Sequence, residues 1–203
     1  MWFRSVPTEN IMKIGVLALQ GDFAEHIAML KRLKVEAIEV RLPEHLKGLD
    51  GLIIPGGEST TIGKLANDFG LMEPLKEFGR RHAIWGTCAG AIFLSKDARL
   101  HQPLLNLMDI TVVRNAFGRQ VDSFEADLDI PELKKATGSN GAYHAVFIRA
   151  PIIESVQQDA KVLASTPDNK IVAAQQGHLL ATSFHPELTH DSRFHEYFLS
   201  LVD

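Results

Sequence analysis

The chain has 203 residues, 45% apolar and 23% charged, which is the mix of one globular domain and excludes a disordered, collagen-like or disulfide-scaffolded chain. Twenty-one basic against 25 acidic residues leave a formal charge of −4, so the chain carries no electrostatic footprint for nucleic acid or for an anionic membrane. The single cysteine, Cys88, cannot close an internal disulfide, and a reducing, cytoplasmic setting is expected.

Residues 1–10 carry Arg4 but no apolar segment of a secretory signal. Met12 stands directly before the first strand-like run, so residues 1–11 are expected to be an extension or an added remnant, with one domain over residues 12–203. No apolar run approaches the roughly 20 residues that cross a bilayer.

Strand and helix signals then alternate. Residues 13–19 form a buried, β-rich run broken by Gly21-Asp22. Residues 24–33 repeat apolar positions at Ile27, Leu30 and Leu33, a helical period. A short strand over 37–40, a loop over 43–48 and a strand over 52–54 follow, the last stopped by Pro55-Gly56-Gly57. Ser59 and Thr60 are suitable N-caps for a helix reaching about Asn67. Residues 72–78 read as helix and 83–85 as strand. Continuous apolar strands separated by helices predict a three-layer α/β fold, with a mostly parallel central sheet and helices on both faces. In the second half, residues 109–114, 123–127, 145–149 and 161–164 read as strands. Residues 171–175 and 178–184 flank Gln176-Gly177 as a hairpin, and 191–202 close the chain as an amphipathic helix.

The strongest chemical signal is Gly86-Thr87-Cys88-Ala89-Gly90, between the strand over 83–85 and the apolar run Ala91-Ile92-Phe93-Leu94. Strand, Gly-x-nucleophile-x-Gly, helix is the layout of a nucleophile elbow, where only small neighbours leave the backbone room. A lone cysteine is ordinarily a small buried hydrophobe; the paired glycines and the strand-to-helix context point to Cys88 as a nucleophile instead, with the helix N-terminus that follows favouring its thiolate. Its base is sought among nine histidines. His185 ends a strand and opens His185-Pro186-Glu187, and the proline favours extended geometry before it. Glu187, two residues on, would then share a face with the ring and set its tautomer. On its own, His-Pro-Glu is equally a turn with a solvated glutamate.

Pro55-Gly56-Gly57-Glu58-Ser59-Thr60 follows a strand and opens a helix. It reads equally as a plain turn and as a donor of backbone N–H groups to an oxyanion, with Gly57 joined by the N–H of Ala89. Neither phosphate-loop spacing is present. Arg114 and Arg149 sit near strand ends, where each would pair with a carboxylate of a ligand or of the surface. His185, Glu187, His190, Asp191 and His195 lack the spacing of a metal motif, so neither a metal nor a cofactor is expected.

These residues carry a resemblance. Gly15-Val16-Leu17-Ala18-Leu19-Gln20-Gly21-Asp22, Pro55–Thr61, Gly86–Gly90, Arg114-Asn115-Ala116-Phe117-Gly118-Arg119-Gln120 and Ser183–Glu187 resemble the glutaminase subunits of pyridoxal 5′-phosphate synthase. These are class I, triad-type glutamine amidotransferases with a flavodoxin-like fold. The resemblance implies that Cys88 attacks the side-chain amide of L-glutamine, with His185 as base and Glu187 as its orienter. It implies a glutamine site at Gly56, Gly57, Glu58, Arg114, Ile148 and Arg149. It also implies a (β/α)₈ synthase partner that receives the ammonia, and weak activity until that partner docks. A stand-alone cysteine hydrolase of the γ-glutamyl peptidase type, the glutaminase of imidazole glycerol phosphate synthase, and a non-catalytic module of the same fold are the alternatives. The Arg114–Gln120 motif and the complete Cys88, His185, Glu187 set argue against them.

Overall fold

The computed structural model describes residues 11–114 and 123–202. Its first strands are short and apolar: β1 (Lys13–Leu17), β2 (Glu36–Val40), β3 (Gly51–Ile54) and β4 (Ala83–Thr87). Between them lie α1 (Phe23–Arg32), α2 (Ser59–Asp68) and α3 (Met72–Gly79). The six-residue α4 (Ala89–Leu94) leads into β5 (Ser95–Asp97), β6 (Met108–Val113), β7 (Ser123–Leu128), α5 (Pro131–Thr137), β8 (Tyr143–Ile148), β9 (Ile152–Val156), β10 (Lys161–Ser165), β11 (Ile171–Gln176), β12 (Leu179–Thr182) and α6 (Arg193–Leu199).

The main sheet runs β2-β1-β3-β4-β12-β11-β9-β6-β5, with β10 against β11. From β2 to β12 every pairing is parallel. The far half is antiparallel through β11, β9, β10 and β6, except where β5 joins β6. The expected parallel sheet is thus the half that carries the motifs, and the hairpin at Gln176-Gly177 turns the chain into the antiparallel half. β7 and β8 stand apart as a two-stranded antiparallel sheet.

Both faces of the main sheet are covered, which is why its central strands are apolar at successive positions. On one face Leu17, Leu52 and Ile84 meet Ile62 of α2, Leu75 and Phe78 of α3, and Ile92 and Phe93 of α4. On the other, Val16, Ile53 and Trp85 meet Leu30 of α1, Leu133 of α5, and Phe194 and Phe198 of α6.

Three expectations need correction. The cap of α2 is Glu58 rather than Ser59 or Thr60: its carboxylate accepts from the backbone N–H of Thr60 and Thr61. The stretch over 43–48 contains a 3-10 turn, Pro43–Leu46. The closing helix is shorter than 191–202, because Asp191 is held by Arg193 outside the helix and the last turn ends at Leu199. β1, β3, β4 and β12 run in one direction, so their carboxyl ends meet at one edge, where open α/β sheets place their sites.

Candidate active site

Each of those four strands delivers one loop to that edge: Gln20-Gly21-Asp22 after β1, Pro55–Ser59 after β3, Cys88 after β4, and Ser183–Glu187 after β12. Cys88 joins β4 to α4 with φ +47° and ψ −107°, a conformation that L-residues avoid and that a surrounding structure must enforce. Its N–H donates to the Thr182 carbonyl of β12 at 2.8 Å. The flanking glycines are steric requirements. A Cβ on Gly86 would sit 2.5 Å from the Gly90 carbonyl oxygen, and one on Gly90 would sit 2.0 Å from the Ile54 carbonyl oxygen.

His185 enters from the adjacent strand end and is held through its N–H to the Val146 carbonyl of β8 at 2.9 Å. Its Nδ1 lies 2.6 Å from Oε1 of Glu187, and both side chains are buried. The pair forms for a different reason than extended geometry. Pro186–Leu188 is a 3-10 turn, and it folds Glu187 back onto the ring. Nδ1 is therefore the protonated, donating nitrogen, and Nε2 is left for the thiol.

Burial alone would drive the His185 imidazolium down. Hydrogen bonds to Cys88 and Glu187 outweigh it and push the group up to about 10. Burial raises the Glu187 carboxyl, against the hydrogen bond from His185 that lowers it. Both shifts act together, since the pair holds its proton more firmly than either group would in water. Asp22 Oδ2 lies 3.6 Å from the same Nδ1. Asp22, His185 and Glu187 bring ligand-type atoms within 4.8 Å of one another, but Nδ1 already serves Glu187. His190, Asp191 and Arg193 line a separate shallow cavity.

Cys88 and His185 open into a cavity of about 460 Å³. Gly57, Glu58, Ala89, Arg114, Ile148 and Arg149 line it. Gly56 lies behind the ring, where a Cβ would come 2.7 Å from Cε1 of His185. Arg114 Nη2 pairs with Glu58 Oε1 at 3.0 Å, so its carboxylate partner is within the site. Burial works to raise the Glu58 carboxyl, yet hydrogen bonds from Thr60 and Thr61 bring it down to about 2. Arg149, directly after β8, stands at φ +43° and lines the cavity. The motif residues Asn115–Gln120 lie outside the described residues.

Three further residues belong to this site. Gln20 accepts the Glu58 N–H through Oε1 at 2.7 Å. Asp22 donates its backbone N–H to the Gly56 carbonyl at 3.1 Å. Both stand in the run Gly15–Asp22, which is the signal that the sequence offers for them. His26 lies directly behind the triad, on the same helix face as Leu30.

The chain is 57% identical over 195 residues to pyridoxal 5′-phosphate synthase subunit PdxT of Herpetosiphon aurantiacus, covering 94% of this chain and 100% of the relative. It is 53% identical over 193 residues to the subunit of the same name from Moorella thermoacetica, with 94% and 100% covered. A crystal structure described as glutamine amidotransferase superposes with a TM-score of 0.85 at 52% identity, over 93% of this chain and 97% of that one. A chain in the structure of PurLQS from Thermotoga maritima, 16% identical, shares the fold with a TM-score of 0.66 over 94% and 97%. Matched by that family's model over residues 16–203, the chain belongs to the SNO glutamine amidotransferase family.

Proposed function

We propose that the chain hydrolyses L-glutamine to L-glutamate and ammonia in this cavity, as the glutaminase subunit of a pyridoxal 5′-phosphate synthase. The observation that carries the reading is the line Cys88, His185, Glu187, with Cys88 and His185 opening into a cavity that Arg114 and Arg149 also line. Relatives that bear that subunit's name match nearly the whole chain.

The chemistry follows from the positions. The two guanidinium groups attract the α-carboxylate of glutamine, and Glu58 offers an acceptor for its ammonium. The side-chain carboxamide then reaches Cys88. His185 Nε2 takes the thiol proton as Sγ attacks the amide carbon, and the carbonyl oxygen becomes an oxyanion facing the backbone N–H groups of Gly57 and Ala89. The imidazolium returns its proton to the nitrogen as the C–N bond breaks, which releases ammonia and leaves a thioester. A water molecule, deprotonated by His185, attacks that thioester; glutamate leaves and the thiol is restored. Glu187 holds the ring tautomer throughout.

The ammonia is passed to a (β/α)₈ synthase partner, with residues 12–203 as the amidotransferase domain and the cytoplasm as its setting. The test is ammonia release from glutamine by the chain alone and with the synthase. Turnover that the partner raises and that Cys88→Ala abolishes supports the reading. Full turnover of γ-glutamyl peptides by the chain alone, indifferent to the partner, would replace it with a stand-alone hydrolase.

A further inference from the structure

The second carboxylate oxygen of Glu187 faces away from His185, into the protein. It is fully buried and makes no well-formed hydrogen bond, an arrangement that costs free energy for an anion. Nε2 of His26, from the middle of α1, lies 3.3 Å from it, and both side chains are wholly buried. The same Nε2 is 3.2 Å from Oγ1 of Thr87, the residue before the nucleophile. Nδ1 of His26 in turn lies 3.0 Å from Nε2 of His195 on α6. Trp85 packs edge-on against both imidazoles, at 5.6 and 4.9 Å between ring centroids.

We propose that His26 is a positioning residue of the glutaminase reaction, donating its Nε2–H to Oε2 of Glu187 and held in that tautomer by His195. The inference rests on reading Cys88, His185 and Glu187 as the triad.

Only one set of tautomers satisfies the contacts. If His26 carried its proton on Nδ1, the Nε2 lone pair would point at a carboxylate oxygen. His195 would then have to accept at Nε2, and its own proton would sit on Nδ1, which is buried without a partner. If His26 carries its proton on Nε2, Glu187 and Thr87 are both in reach. Nδ1 then accepts from His195 Nε2–H, and the atom left without a partner is a bare lone pair, the cheaper orphan. Burial, reinforced by His195 and His185, holds His26 well below the usual imidazole value, and burial together with Arg32 brings His195 down to about 3. Both rings are therefore neutral, as a donor–acceptor chain requires.

What the contact does is set by charge. Glu187 faces His185, His26 and, across the ring, Asp22, with Tyr143 nearby on β8. His26 faces Thr87 from β4, His195 from α6 and His185. When His185 acts as base it is neutral, and Glu187 is then a buried carboxylate supported by its own backbone N–H and, beside Oε2, by His26. Removing that donor destabilises the carboxylate, so the triad retains an extra, inhibitory proton to higher pH.

The experiment compares wild type, His26→Leu and His26→Gln, whose amide N–H can occupy the place of Nε2. The pH profile of kcat/KM for glutamine with the synthase partner, and that of Cys88 alkylation by iodoacetamide in the chain alone, are both recorded. The acid limb is expected to move up by about one pH unit in His26→Leu, the worth of one hydrogen bond to a buried charge. Plateau kcat should fall roughly tenfold to a hundredfold, as when an outer partner of a catalytic group is lost. Both should return most of the way in His26→Gln. A lower activity with an unmoved acid limb in both variants would make His26 merely structural and overturn the proposal. Nitrogen NMR of the wild-type imidazoles decides independently of any variant's folding. Nε2–H tautomers for His26 and His195 support the proposal, and an Nδ1–H tautomer of His26 rejects it. If instead wild type never hydrolyses glutamine, the glutaminase reading fails while the tautomer and alkylation results still stand.

Discussion

The carbonyl oxygen of Gly56 occupies the place where a side chain on Gly21 would begin: a Cβ on Gly21 would lie 1.7 Å from it. The two loops touch backbone to backbone, and the Asp22 N–H to Gly56 carbonyl bond joins them at 3.1 Å. Gly21 also stands at φ +99°, where a side chain is strained whatever the space. Gly21→Ala is therefore expected to push Gly56-Gly57 away from Cys88. Glutaminase activity should fall by roughly 10² or more, the worth of an oxyanion donor, and thermal stability should drop as well. Activity within a factor of two of wild type would show that the loop position is not held by this contact.

The backbone of Cys88 carries strain for the sake of its thiol. At φ +47°, ψ −107° a residue with a Cβ gives up about 1–3 kcal/mol, which glycine recovers, less about 0.5–1 kcal/mol of extra chain entropy. Cys88→Ala and Cys88→Gly are both expected to be inactive. Cys88→Gly should be the more stable of the two in urea unfolding, by about 1 kcal/mol. The reverse order would show that the elbow is relaxed.

Glu58 has two duties, capping α2 and pairing with Arg114. Glu58→Ala is expected to cost about 1 kcal/mol through the cap and to raise KM for glutamine, since Arg114 loses its orientation. The folded carboxyl sits at about 2, below its ordinary 4.5. A lowered value means that its stabilisation is complete above pH 4.5 and fades as pH falls toward 2. The side chain is partly exposed, so solvent screens the pair. Urea unfolding of wild type and Glu58→Ala should differ at pH 7, differ less at pH 3 and converge only as the pH reaches 2. A gap that stays constant across that range would assign the loss to packing alone.

The parallel half of the fold was legible because strands buried on both faces are apolar without a break, as Leu52-Ile53-Ile54 shows. Short elements were not. α5 spans seven residues and buries only Leu133 among them, so it has no periodicity to read, although Pro131 at its start and Gly138 in the left-handed conformation at its end were available signals. β9 alternates weakly, and its place between β11 and β6 depends on contacts distant in sequence. In the site, the elbow could be read because steric demand leaves glycines behind. The partnership of His185 and Glu187 could be read too, but its geometry could not: a 3-10 turn and an extended segment place residues i and i+2 differently. His26 was hidden by its own helix. It lies on the stripe of Leu30 and Leu33, and nothing in a spacing of four and seven tells a core histidine from one that touches a carboxylate on another element.

The loop that would hold the oxyanion is tied from behind. Gln20 Oε1 accepts the Glu58 N–H at 2.7 Å, and a Cβ on Gly57 would lie 2.4 Å from that same oxygen. Gly57 stands at φ +153°, and without a Cβ its peptide can rotate at little steric cost. A subunit that supplies ammonia gains nothing by hydrolysing glutamine when no acceptor is present, so an oxyanion hole left unfinished until docking suits the role. The isolated chain is expected to turn glutamine over slowly, and the synthase to raise kcat by roughly 10²–10³, the worth of one oxyanion donor. Gly57→Ala should blunt that rise, because its Cβ meets Gln20 when the peptide tries to settle. Combining it with Gln20→Ala, which removes the nearest obstacle and the tether but not the strain of a side chain at φ +153°, should restore part of the activation. The measurement is ammonia release at saturating glutamine, alone and with excess synthase, with complex formation followed by sedimentation. If Gly57→Ala forms the complex and is activated as fully as wild type, the Gly57 peptide is not the element that docking completes.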